Sequence, residues 1–129
     1  MTKEILHTDQ APAAVGPYSQ AVAVPAGGKV VYLSGQIGLE PSTGVMVNDT
    51  FEAEVRRAFA NMTAVVTAAG GTLAQVVKLT LFLTDLSKFG QVNDIMAELI
   101  PQPFPARSTV GVKELPKGAT FEVEAILVI

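Results

Sequence analysis

Between Asp49 and Gly71 the apolar residues Phe51, Val55, Phe59, Met62, Val66 and Ala69 recur at the spacing of one helix face, a period that a strand cannot use. Asp49, with Glu52 three residues later, has the form of a capping box, and Gly70-Gly71 supplies a stop. The period then changes to two. Val77, Leu79, Leu81 and Leu83 alternate with Lys78, Thr80, Phe82 and Thr84, as side chains of a pleated strand do. Helical spacing returns at Phe89, Val92, Ile95 or Met96, and Leu99, and ends where Pro101, Pro103 and Pro105 cannot continue it.

Around this centre lie shorter signals. Residues 9–18 hold Pro12, Gly16 and Pro17 and read as loop. Ala21 to Val24 reads as a short strand, and the turn residues Pro25, Gly27 and Gly28 lead into a buried strand from Lys29 to Gly35. The two make an opening hairpin. Residues 39–48, with Pro41 and Gly44, read as loop; Ser108 to Val112 as strand, Pro116 to Gly118 as turn, and Thr120 to Ile129 as a long last strand. The expected order is β-β-α-β-α-β-β in one domain spanning 1–129. Two strand–helix–strand crossovers point to an α+β fold, a mixed sheet with both helices packed on one face.

The last strand carries a further implication. Phe121, Val123, Ala125 and Leu127 point one way, while Glu122, Glu124, Ile126 and Val128 point the other. If helices cover the first face, the second shows apolar side chains that nothing else in the chain covers. Hydrophobic residues make up 49% of the chain and charged ones only 16%, which is apolar for a domain so small. Another subunit packed on the open face accounts for both observations.

Charge excludes more than it assigns. The net charge is −3, the isoelectric point about 5.0, and the longest basic cluster is Arg56-Arg57, so the counterion release that drives duplex binding has little to work with. Nucleic acid is not the expected partner. There is no cysteine, hence no disulfide, thiolate metal site or thiol nucleophile. The first residues lack a signal-peptide apolar core, and no apolar run approaches the roughly 18 residues of a membrane span. A soluble cytoplasmic protein is the expectation.

Familiar catalytic motifs are absent: no phosphate-binding loop, no dinucleotide glycine pattern, no nucleophile elbow. His7 is the only histidine, in an N-terminal stretch that reads as mobile, so a two-histidine mechanism cannot come from one chain. Two residues stand out. Arg107, in Pro105-Ala106-Arg107-Ser108-Thr109, offers a planar donor fork suited to a carboxylate. Glu122 sits on a strand face that otherwise turns apolar, where burial would raise its pKa. On spacing alone both read more simply as surface or ion-pair residues. Tyr18, after Gly16-Pro17, could enter a site or pack in a core or interface. Ser34-Gly35-Gln36 reads first as a turn or bulge, and second as a close approach of backbone to ligand. Asn93 is open between a site group and a polar helix-face residue.

The ordered set of segments resembles the RidA (YjgF-type, L-PSP endoribonuclease-like) family. The matching stretches are Ala11-Pro12 through Gly16-Pro17-Tyr18-Ser19-Gln20-Ala21, Ser34-Gly35-Gln36-Ile37, Val77-Lys78-Leu79-Thr80 through Asp85-Leu86, Val92-Asn93, Phe104-Pro105-Ala106-Arg107-Ser108, Leu115-Pro116-Lys117-Gly118, and Phe121-Glu122-Val123-Glu124-Ala125. The resemblance implies a chorismate-mutase-like fold (bacillus type) assembled as a homotrimer with sites between subunits. It implies a hydrolase that clears enamine and imine intermediates, such as 2-aminoacrylate and 2-aminocrotonate, released by pyridoxal-phosphate dehydratases. The activity would be that of a 2-iminobutanoate/2-iminopropanoate deaminase. By the same resemblance Arg107 holds the substrate carboxylate, Glu122 handles water, and Tyr18, Ser34, Gly35, Asn93 and Thr109 surround the pocket. Some members carry cysteine where Thr109 stands, which removes any thiol role here. No metal or organic cofactor is implied. Two rivals remain: a non-enzymatic ligand-binding or chaperone-like protein, and an endoribonuclease or translation inhibitor, for which an acidic chain with one histidine is poor material.

Overall fold

The computed structural model describes residues 3–129. Six strands and two helices run β1 (Glu4–Leu6), β2 (Ala21–Ala23), β3 (Val30–Gln36), α1 (Phe51–Ala68), β4 (Val76–Leu83), α2 (Phe89–Leu99), β5 (Ala106–Gly111) and β6 (Phe121–Val128). Helix α1 starts one residue later than the sequence pattern implies. Thr50, in extended conformation, accepts a hydrogen bond from the Ala53 N–H at 3.0 Å and is the cap in place of Asp49. At the other end Gly70 turns to φ 89°, and the N–H groups of Gly70 and Gly71 close on the carbonyls of Thr67 and Val66, the glycine stop that the sequence implies.

The main sheet has the order β3–β6–β4–β5. Strand β6 lies antiparallel between β3 and β4, so the α1 crossover joins parallel strands with the last strand inserted between them. The α2 crossover joins β4 directly to its parallel neighbour β5. Both helices cover one face. Val55, Phe59, Met62 and Val66 of α1 and Val92, Ile95 and Met96 of α2 are buried against Leu79, Leu81, Leu83, Phe121, Val123, Ala125 and Leu127.

Three expectations need correction. The opening hairpin does not form: β2 pairs with β1, and β3 pairs with β6. Ser19, just ahead of β2, bridges to Ala106 at the start of β5. The turn at 25–28 therefore carries the chain toward the opposite edge of the sheet instead of folding it back. The N-terminal stretch that reads as mobile contains a paired strand, β1. In β4 the register shifts between Val76 and Lys78, so Val76 takes the core position and Val77 is only half-buried.

The second face of the sheet is as open as the alternation implies: Tyr32 is 76% exposed and Val30 47%, with Phe82 and Ile126 half-buried beside them. Val128, at the end of that row, is buried all the same. One polar tie has no counterpart in the hydrophobic pattern. Glu54 of α1 is buried, and its carboxylate accepts from the Thr120 N–H at 2.7 Å and from the Thr120 hydroxyl at 2.6 Å. This fixes α1 to the start of β6. Truncating Glu54 to Ala leaves the part-buried N–H and hydroxyl of Thr120 without their acceptor; a loss of about 1–2 kcal/mol is expected in urea unfolding, with Glu54→Gln costing less.

Candidate functional site

The chain ahead of β2 is lashed to the edge strand. The Ser19 N–H donates to the Pro105 carbonyl at 2.9 Å and its hydroxyl to the Phe104 carbonyl at 2.5 Å. This lays Gly16-Pro17-Tyr18 beside Arg107 at the opening of β5, and the Tyr18 hydroxyl accepts from the Val15 N–H at 3.3 Å. The result is an open cleft of about 280 Å³ lined by Val15, Tyr18, Phe89, Asn93, Arg107 and Thr109.

The guanidinium is held on several sides. Its carbon lies 4.9 Å from the Tyr18 ring centroid and 5.2 Å from that of Phe89, cation–π distances. Nη1 donates to Asn93 Oδ1 at 2.6 Å and approaches Met96 Sδ at 3.7 Å. Among the described residues no carboxylate pairs with it. Burial lowers the Arg107 pKa from its ordinary value, with the Tyr18 hydroxyl opposing the change, but a guanidinium stays charged at any working pH. The cleft therefore holds a fixed, half-desolvated cation without a counter-ion. Thr109 lies two residues along the same strand, its hydroxyl oxygen buried and unpartnered.

Glu122 belongs to a second group. Strand β3 loses regular register between Leu33 and Gln36, which satisfies the bulge reading of Ser34-Gly35-Gln36. The Glu122 carboxylate lies over Gly35: a Cβ there would sit 1.9 Å from Oε2 and 2.8 Å from Cδ. Glycine is needed at this position because the carboxylate occupies the place of its side chain. Burial, and then the charge of Glu124, raise the Glu122 pKa.

Register separates the two groups. Arg107 pairs with Leu79 and Thr109 with Leu81, both core-facing. Glu122 pairs with Phe82, and Phe82 with Val110, on the open face. Cross-strand partners share a face, so within one chain Arg107, Thr109, Tyr18 and Asn93 gather on the helix side, and Glu122, Ser34 and Gly35 on the other. His7 joins neither; it pairs with Asp9 at 3.0 Å. No group of three or more His, Cys, Asp or Glu among the described residues is placed to share a metal ion. Phe89 and Val15 also line the cleft, and Met96 braces the guanidinium. Phe89 and Met96 carry only the periodic signature of a helix core, and Val15 carries none.

Residues 8–129 match the family model described as Endoribonuclease L-PSP. A protein of Dermatophagoides farinae named 2-iminobutanoate/2-iminopropanoate deaminase is 50% identical over 98% of this chain and 97% of its own. A human protein of the same name is 40% identical over 99% and 91%. The crystal structure of RidA from an Antarctic Psychrobacter superimposes with a TM-score of 0.75 at 45% identity, covering 98% of this chain and 99% of that one.

The glycine beneath Glu122 yields a test. In Gly35→Ala the carboxylate must swing away, and because it ends a flexible side chain the fold should hold its melting temperature closely. Chemistry that depends on its position should fall on the order of a hundredfold. A crystal structure of the variant with an undisplaced Glu122 would contradict this placement.

Proposed function

The chain belongs to the endoribonuclease L-PSP family, and from that premise we propose that it is a homotrimeric 2-iminobutanoate/2-iminopropanoate deaminase. Each site in this reading joins the Arg107 cleft of one subunit to Glu122, Ser34 and Gly35 of its neighbour. The observation that carries it is the unpaired guanidinium between Tyr18 and Phe89. A half-buried cation without a counter-ion is costly, and a small organic acid relieves that cost. The names of the relatives at 40–50% identity supply the reaction class. The open face of the sheet, with Tyr32, Phe82 and Ile126, supplies the surface on which a neighbour packs.

The chemistry follows from two held groups. Arg107 grips the carboxylate of a 2-imino acid and fixes its C2. Glu122, as a carboxylate, accepts a proton from water while the water oxygen bonds to C2, giving a carbinolamine. The protonated Glu122 gives that proton to the nitrogen and then carries the carbinolamine hydroxyl proton to the same nitrogen as the C–N bond breaks, so that ammonia leaves and the C2 carbonyl of the keto acid forms. Desolvation that raises the Glu122 pKa makes it a better base once ionised. Turnover then falls as pH drops through that raised pKa, at a higher pH than an ordinary glutamate would give. Imines of this kind hydrolyse in water unaided, so positioning and one acid–base group suffice. The ribonuclease name has less to support it here: His7 is exposed and paired with Asp9, and the net charge is −3.

Imine generated by a threonine dehydratase and followed as it decays provides the assay. Arg107→Ala should lose on the order of a hundredfold or more in kcat/KM, mostly through KM, and Arg107→Lys should not restore it, since a point charge lacks the fork. Glu122→Gln should lower kcat by about a hundredfold or more with the assembly intact. An Arg107→Ala protein that clears imine as fast as wild type would refute the reading.

A further inference from the structure

The donors of Arg107 are unequally committed. Nη1 faces Asn93 Oδ1 at 2.6 Å and Met96 Sδ at 3.7 Å, and the two faces of the guanidinium are covered by Tyr18 and Phe89. The edge bearing Nη2 remains for a ligand. Because arginine only donates, the Asn93 amide must turn its oxygen to Nη1, and its Nδ2 therefore points elsewhere. It points to Gly16. A Cβ built on Gly16 would lie 3.5 Å from Asn93 Nδ2, 3.6 Å from Arg107 Nη2 and 3.7 Å from the Tyr18 ring. The missing side chain thus marks a position almost equidistant from two N–H donors, neither of which takes part in the Nη1–Oδ1 bond between the same two residues. An acceptor oxygen shifted about half an ångström from it would come within hydrogen-bonding distance of either donor.

We infer that the space left by Gly16 receives one oxygen of the substrate carboxylate, shared between Asn93 Nδ2 and Arg107 Nη2. Gly16 is then a specificity-determining residue, its lack of a side chain keeping the anion edge open, and Asn93 touches the ligand as well as bracing the arginine. The inference rests on reading Arg107 as a carboxylate clamp and adds where the acid group sits. An imine with no acceptor oxygen to place there gains nothing from this position, so the cleft favours 2-imino acids over simple alkyl imines.

Gly16→Ala tests this without threatening the fold. The backbone at Gly16 is outside the left-handed region, the three neighbours stand at ordinary van der Waals distance, and alanine lowers the entropy of the unfolded chain. Its melting temperature should match or exceed that of wild type. Binding of 2-oxobutanoate to the assembled protein, measured by calorimetry, should weaken about tenfold or more, with the loss in imine turnover falling on KM. Asn93→Ala should weaken binding comparably, and the double variant should be little worse than either single one, because both remove the same contact. Wild-type affinity in Gly16→Ala, or losses that simply add, would overturn the subsite. The outcomes also separate this inference from the proposed activity. Gly16-dependent binding of 2-oxobutanoate by a protein that hydrolyses no imine would sink the deaminase and keep the subsite. Imine hydrolysis indifferent to Gly16→Ala would do the reverse.

Discussion

A pleated sheet sends successive side chains to opposite faces, and in this protein that parity governs the chemistry. Leu79 and Leu81 face the helices, so their β5 partners Arg107 and Thr109 do too. Phe82 faces away, and its β6 partner Glu122 faces away with it. A one-residue change of register would reverse either assignment and place core side chains in water, so the arrangement is as firm as the core itself. The two groups best suited to hold an acid and to activate water are therefore separated by the thickness of the sheet within each chain. Under the proposed activity they meet only when the open face of one copy packs against the cleft of another.

That division explains why both faces are built as they are. On the helix side, Ser19 draws Tyr18 to the edge strand, and α2 supplies Phe89, Asn93 and Met96, so one guanidinium is oriented by rings, an amide and a sulfur. None of these contacts neutralises it. Its charge stays available for a ligand, while its geometry is settled before one arrives. On the other side, the irregular register of β3 and the bare backbone of Gly35 make room for a carboxylate that the sheet partly desolvates.

The periodic parts of this architecture were legible in the amino-acid sequence. Both helices, their glycine and proline stops, the β4 alternation and the two faces of β6 follow from spacing and turn chemistry. The features that spacing does not reveal share a cause, which is that short strands choose partners through long-range contacts. Ala21–Ala23 carries no local mark of pairing with Glu4–Leu6 in place of Val30–Gln36, and nothing local announces the β4 register shift at Val76. The helix cap sits one residue beyond Asp49 because Asp49 and Thr50 are both competent caps, and only the backbone turn decides between them. Of the candidate site, Arg107 and Glu122 were visible as residue types, and the resemblance to a known family placed Tyr18, Ser34, Gly35, Asn93 and Thr109 around them. Phe89 was hidden because an aromatic at the start of an amphipathic helix looks like core. Gly16 was hidden because what matters there is a missing side chain, visible only against the donors around it.

The central claim, that each working site draws Arg107 and Glu122 from different copies, is open to direct measurement by mixing. Arg107→Ala and Glu122→Gln proteins, each inactive alone, can be unfolded together in equal amounts and reassembled. With random assembly, about a quarter of the intersubunit clefts would combine an intact Arg107 from one copy with an intact Glu122 from its neighbour, and imine hydrolysis should return to about that fraction of wild type. If the mixture stays as inactive as its parents while co-assembly is verified by mass, the two residues do not meet across an interface.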